Sequence, residues 1–261
     1  MKQGAALQKV MRAYLGTQFV WTFWFLLIMI GVNIFHMVRS VLLDTNVDSY
    51  YHAVYIAANI YMFVIGIITV YFLPYFVEKG VTRKAYFKGT FASGVGLSVL
   101  IPLVSYIVSL IIEFISNRFF NITYHEPMFN VVDLATGDGH IVGDIIQALI
   151  LTPYVDPQSN WLLAMFIFTL NILAFYIIGW FISVCFYRLH VVIGLGGILI
   201  GVILLILKDA LLRMALELPI SETFLFVDVI SPLIGTLGII IIYIFPIWMV
   251  HLLTRNVPIK I

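Results

Sequence analysis

Six apolar stretches, each about as long as a lipid bilayer is thick, dominate this sequence. They cover residues 19–38, 53–76, 91–115, 161–187, 191–207 and 233–253, the fifth (Val191 to Leu207) being the shortest. Crossing a hydrocarbon core about 30 Å thick takes about 20 apolar residues. Lipid offers the backbone no hydrogen-bond partner, so each stretch is expected as a helix that satisfies its own N–H and C=O groups. The runs are continuous rather than alternating, which excludes a transmembrane β-barrel. Composition agrees: 62% of residues are apolar and 10% charged, whereas a soluble domain carries about 25% charged residues. The mean hydropathy is +1.09.

Lysine and arginine orient the spans. Lys2, Lys9, Arg12, Lys79, Arg83, Lys84, Lys88, Arg188, Arg255 and Lys260 fall on one side; Arg39, Arg118, Lys208 and Arg213 fall on the other. Of the acidic residues, only Glu78 lies on the basic side. The basic side is expected to face the cytoplasm, with both termini there. The net charge of +1 gives no footprint for nucleic acid. Cys185 is the one cysteine, so no intrachain disulfide forms. The first apolar stretch starts late and lacks a small-residue cleavage site, so no cleavable signal peptide is expected.

Four segments lie outside these stretches. Residues 1–17 place Leu7, Val10, Met11, Tyr14 and Leu15 at helical spacing, with Lys2, Lys9 and Arg12 mostly opposite. That pattern reads as an amphipathic interfacial helix; a plain basic anchor is the simpler reading. Residues 77–90 are densely charged. Gly80 is placed to end the helix of the second span and Thr82 to cap a short helix over Arg83 to Lys88. Tyr86 and Phe87 give that helix an apolar side. Such a segment is either a docking knob or an ordinary solvated basic loop. Residues 116–160 are expected outside, with a turn at Gly137-Asp138-Gly139 and an apolar stretch, His140 to Leu151, too short to span. Asn121-Ile122-Thr123 matches the glycosylation pattern. Residues 208–232 are also expected outside. There Asp209 and Arg213, four apart, can pair on one helical face, as a helix-end ion pair or as part of an external gate.

Within the spans, Gly197 and Gly201 form a GxxxG pair suited to close helix packing. Pro74, Pro102 and Pro246 are candidate kinks. Asn33, Asn59 and Asn171 are intramembrane amides that bond either a neighbouring helix or a substrate. No catalytic constellation is present: there is no P-loop, no His-Glu-x-x-His and no Gly-x-Ser-x-Gly. His36, His52, His125, His140, His190 and His251 show no metal-ligand spacing. No span centre carries an acid, which speaks against an ion-coupled carrier. Energy for any transport is therefore expected from another chain.

The segment from Glu78 to Gly89 reads EKGVTRKAYFKG. Gly80, Val81, Thr82, Arg83, Lys84, Phe87 and Gly89 fit a Gly-aliphatic-Ser/Thr-Arg-basic-x-x-Phe-x-Gly pattern. Together with the basic N-terminal segment and six spans, this resembles the permease subunits of type-2 ABC exporters of Gram-positive bacteria. The resemblance implies an all-α membrane fold with six transmembrane helices and an N-terminal interfacial helix, in the bacterial cytoplasmic membrane. It implies that Glu78, Gly80, Val81, Thr82, Arg83, Lys84, Tyr86 and Phe87 dock on a cytoplasmic P-loop ATP-binding subunit. ATP and Mg2+ would be held there, and this chain would have no cofactor and no catalytic residue of its own. It also implies a second permease copy or paralogue, with the pathway between the two. Cargo would be amphipathic peptides, as for the phenol-soluble modulins, or hydrophobic drugs. The long 116–160 region departs from that pattern, since many relatives carry their larger external element between spans five and six. Two other readings stand beside it. One is a membrane enzyme acting on lipid through Asp138, His140 and Asp144; the other is a membrane sensor or immunity protein.

Overall fold

The computed structural model describes residues 2–43, 46–119, 124, 152–218 and 232–255. Its elements are α1 (Lys2–Leu43), α2 (Tyr50–Thr69), a 3-10 turn (Val70–Phe72), α3 (Leu73–Glu78), α4 (Arg83–Phe119), α5 (Pro157–Arg188), α6 (Val191–Ala215) and α7 (Pro232–Arg255). Among the described residues the fold is all helical apart from an isolated bridge between Val47 and Tyr124. Six helices are long and apolar enough to cross a membrane: Arg12–Leu43, Tyr50–Glu78, Arg83–Arg118, Pro157–Arg188, Val191–Ala215 and Leu237–Arg255.

The core of the bundle is apolar, but α1 and α4 turn polar faces inward and apolar faces outward. On α1 from Arg12 onward the buried positions are Tyr14, Gln18, Thr22, Leu26, Asn33 and Ser40, while Phe19, Phe23, Trp24, Ile28 and Phe35 are exposed. The spacing of four and seven is one helical face, and that face is mostly polar. On α4 the buried face includes Thr90, Ser93, Ser98, Ser105, Ser109 and Ser116. Ser93, Ser98 and Ser105 each return their hydroxyl to the carbonyl four residues back, at 2.7–2.9 Å. Small, internally satisfied side chains let α1 and α4 pack closely, and lipid takes the aromatic faces. The central helix is α5, which packs on α2, α4, α6 and α7. Nearly every residue from Ala174 to Cys185 is buried.

Glycines set the closest approaches. Gly66 of α2 and Gly179 of α5 lie against each other's backbones, at Tyr176 and Phe63 respectively. Gly194, Gly197 and Gly201 of α6 rest on Phe186, Cys185, and the pair Ile178 and Ile182 of α5. The GxxxG face thus packs within this chain.

Three segments differ from the sequence reading. α1 runs unbroken through Gly16, so residues 2–17 are continuous with the first span. Nothing there stops a helix: one glycine costs about 1 kcal/mol, and Thr17 bonds the carbonyl of Ala13 within the helix at 3.1 Å. At 42 residues, a 1.5 Å rise makes α1 about 63 Å long, roughly twice the hydrocarbon thickness. The short helix expected over Arg83 to Lys88 is the first part of α4, since the single Gly89 before the third span costs only about 1 kcal/mol and does not stop the helix. Of the candidate kinks, Pro74 lies in the first turn of α3 just after the 3-10 turn, and Pro102 and Pro246 lie inside α4 and α7. Finally, α6 does not end at Leu207 but continues to Ala215. This brings Lys208, Asp209 and Arg213 into the bundle.

Of the 116–160 region, Ser116–Phe119 extend α4 and Thr152–Asp156 lead into α5. Asp156 caps the amide of Gln158 at 3.0 Å. A non-helical Asn160 then recaps the helix at Leu163, at 3.1 Å. Residues 121–123, His125, and the stretch 137–151 with Asp138, His140 and Asp144 lie outside the described residues, as do 219–231.

Candidate functional site

Two polar assemblies sit at opposite ends of the bundle. The first surrounds the turn between α3 and α4. Gly80 has φ +78°, the left-handed conformation that glycine adopts without strain. Its N–H reaches the carbonyl of Val77 at 2.9 Å, and the N–H of Val81 reaches that of Phe76 at 3.0 Å. This is a Schellman closure, with the accompanying apolar contact between Phe76 and Val81. Thr82 accepts from the N–H of Ala85 at 3.2 Å and so caps α4. Replacing Gly80 by alanine is expected to cost about 1–2 kcal/mol, the penalty of a left-handed non-glycine residue. Thermal unfolding in detergent reads this directly.

The eight sequence-singled residues divide into two groups. Glu78, Gly80, Thr82 and Lys84 are exposed, and Arg83 is half-buried. Val81 and Tyr86 are buried, and Phe87 is half-buried. Tyr86 packs against Phe76, and its hydroxyl donates to the carbonyl of Thr69. Phe87 stacks on Trp180 at 5.4 Å and faces His251 at 4.8 Å. Tyr86 and Phe87 do form the apolar side of this part of α4, and that side faces the bundle core.

Beneath the turn lies a hydroxyl knot that the sequence reading missed. Tyr14 of α1 donates to Thr69 Oγ1 at 2.7 Å, and Thr69 donates to the carbonyl of Ile65 at 2.8 Å. Tyr176 of α5 donates to the carbonyl of Thr90 at 3.1 Å, with its oxygen 3.5 Å from Thr69 Oγ1. Helices α1, α2, α4 and α5 are thereby tied together directly under the exposed turn.

The second assembly lies toward the other end. Lys208 is about 26 Å along α6 from Val191, at 1.5 Å per residue. It donates to Asn171 Oδ1. Asn171 Nδ2 donates to Asn59 Oδ1 at 2.8 Å and to Thr152 Oγ1 at 2.9 Å, and Asn59 Nδ2 reaches Thr152 at 3.2 Å. Asp209 accepts from Arg213 Nε at 2.9 Å and lies 4.0 Å from Lys208 Nζ. Lys208, Asp209 and Arg213 are 1%, 3% and 7% exposed. Asp209 and Arg213 form the helix-end pair read from the sequence, but the pair is buried and joined by Lys208, which the sequence did not indicate. Asn59 and Asn171 do bond a neighbouring helix, namely each other's.

Irregular backbone closes this cluster. Thr152, Pro153 and Tyr154 are buried, and Tyr55 donates to the carbonyl of Pro153. Tyr154 sits 5.1 Å from the rings of both Tyr55 and His52, and burial raises its phenol above the usual tyrosine range. Irregular backbone packed among these helices needs protein partners: Tyr55 satisfies the Pro153 carbonyl, while Asn59 and Asn171 hold the Thr152 hydroxyl.

The histidines remain dispersed. His36 is exposed, His52 lies 3.3 Å from Asp48, His190 stands at the N-cap of α6, and His251 packs on Phe87. Among the described residues no group of three or more His, Cys, Asp or Glu could hold a metal. Comparison with family models, with curated proteins and with solved structures returns no match for this chain.

Proposed function

We propose that this chain is the membrane subunit of an exporter driven by a separate ATP-hydrolysing subunit, moving amphipathic peptides or hydrophobic compounds. The observation that carries this reading is the construction of the α3–α4 turn. Its exposed surface (Glu78, Lys79, Gly80, Thr82 and Lys84) is small, charged and braced by capping at both helix ends. The next two aromatics, Tyr86 and Phe87, anchor it to Thr69 and Trp180. A push on a rigid knob so anchored moves α2, α4 and α5 together. In this reading the exposed residues meet the driving subunit and the buried ones pass its movement into the spans. ATP and Mg2+ belong to that partner, and a second membrane copy completes the pathway.

The test is purification in mild detergent followed by mass spectrometry of whatever accompanies the chain. A stoichiometric P-loop ATPase is expected. Reversing charge at the exposed Glu78 and Lys84 (E78K/K84E) should weaken its association about tenfold or more, since mismatched charges across an interface cost a few kcal/mol. The thermal unfolding of the membrane chain itself should not change. Recovery of the chain alone in several detergents would remove the exporter reading.

A further inference from the structure

At the end of the bundle that carries the turn, α4 and α7 leave a cavity of about 470 Å³ between them. Arg83, Lys84, His251, Thr254 and Arg255 line it, a size within the roughly 300–1,000 Å³ of small-molecule sites. Among the described residues that line it, three are cationic and none is acidic. Lys84 and Arg255 are exposed at its rim. His251 Nδ1 is buried and has no hydrogen-bond partner among the described residues.

One helix end favours negative charge here, and the opposing effect of the other is offset by an arginine. α4 begins at Arg83, so its amino-terminal dipole and first amides face this end. α7 ends here and would present repelling carbonyls. Arg188 of α5 covers two of them, donating to Leu252 at 3.0 Å and to Leu253 at 2.7 Å. The cavity opens at the end of two membrane-crossing helices, where lipid headgroups lie.

We infer that this cavity binds a phosphate-bearing anion, presented by an anionic phospholipid of the adjacent leaflet. Arg83, Lys84 and Arg255 supply the charge, Thr254 and His251 the lining, and the acyl chains remain in the bilayer beside α7. The site does not depend on the exporter reading, because the membrane chain alone contains all of it.

Native mass spectrometry of the purified full chain tests it, using phosphatidylglycerol and phosphatidylcholine of equal acyl composition. The chain should retain phosphatidylglycerol preferentially. K84Q/R255Q should weaken that retention about thirtyfold, the effect of removing two near-surface cations. R39Q/R118Q, at the opposite end, should leave it unchanged. Both residues of the first pair are exposed, so the thermal unfolding of that variant should match the parent. Equal retention of the two lipids by the parent would overturn the site, as would undiminished phosphatidylglycerol retention by K84Q/R255Q. Millimolar inorganic phosphate that displaced the lipid completely would assign the site to free phosphate and overturn the lipid as its source.

Discussion

Replacing Asp209 by alanine is expected to destabilise the protein by about 3–5 kcal/mol, the cost of leaving buried charge without its partner. Asp209 stands between two cations: Arg213 Nε at 2.9 Å and Lys208 Nζ at 4.0 Å. Removing its carboxylate leaves both cations inside the bundle without this counter-charge. Lys208→Met is the informative contrast. It leaves the Asp209–Arg213 pair intact and deprives Asn171 Oδ1 of one donor, a loss of about 1–3 kcal/mol. The double variant D209A/K208M keeps one such cation and should fall between the two single variants. Loss of monodisperse protein on heating in detergent gives the order: parent, K208M, double, D209A. If D209A matched the parent, the cluster would be open to water and the ionic core would not hold α6 in place.

The six spans were legible because apolar runs of bilayer length have few other solutions. The local chemistry of the α3–α4 turn was legible too. A glycine just after a helix and a threonine just before the next are short-range signals, and both residues do what their types favour. Three kinds of feature were not legible. The continuity of α1 through Gly16 depends on nothing local breaking it, and the charge pattern of residues 1–17 suits either a separate or a continuous helix. The fate of Tyr86 and Phe87 depends on Thr69 and Trp180, both far along the chain. The extension of α6 was hidden by hydropathy itself. Lys208 and Asp209 end an apolar run, so a lipid-only criterion stops there. The helix continues because its neighbours supply Asn171 and the pair closes through Arg213. The residues departing most from the expected solvent are those the bundle had to satisfy by tertiary contacts, and such contacts have no sequence signature.

The second large effect concerns one substitution with opposite signs at two places. Gly31→Ala on α1 should be neutral or stabilising by up to about 1 kcal/mol, because a Cβ there meets nothing within 4 Å and alanine is the better helix former. Gly179→Ala on α5 should be destabilising by about 3 kcal/mol, at the upper end of ordinary overpacking. A Cβ at Gly179 would sit well inside contact distance of the Phe63 carbonyl oxygen, and one at Gly66 would do the same to Tyr176. Both obstacles are backbone, so no side chain can swing aside. The α2–α5 contact is the most extensive in the bundle, so separating these helices loosens the core around Asn59 and Asn171. The two glycines share one crossing, and their effects should not add. Once the first Cβ has pushed the helices apart, the second meets less resistance. G66A/G179A should therefore unfold only slightly below the worse single variant. Fully additive losses would mean that each glycine faces a separate obstacle and that α2 and α5 do not move as rigid bodies at this crossing.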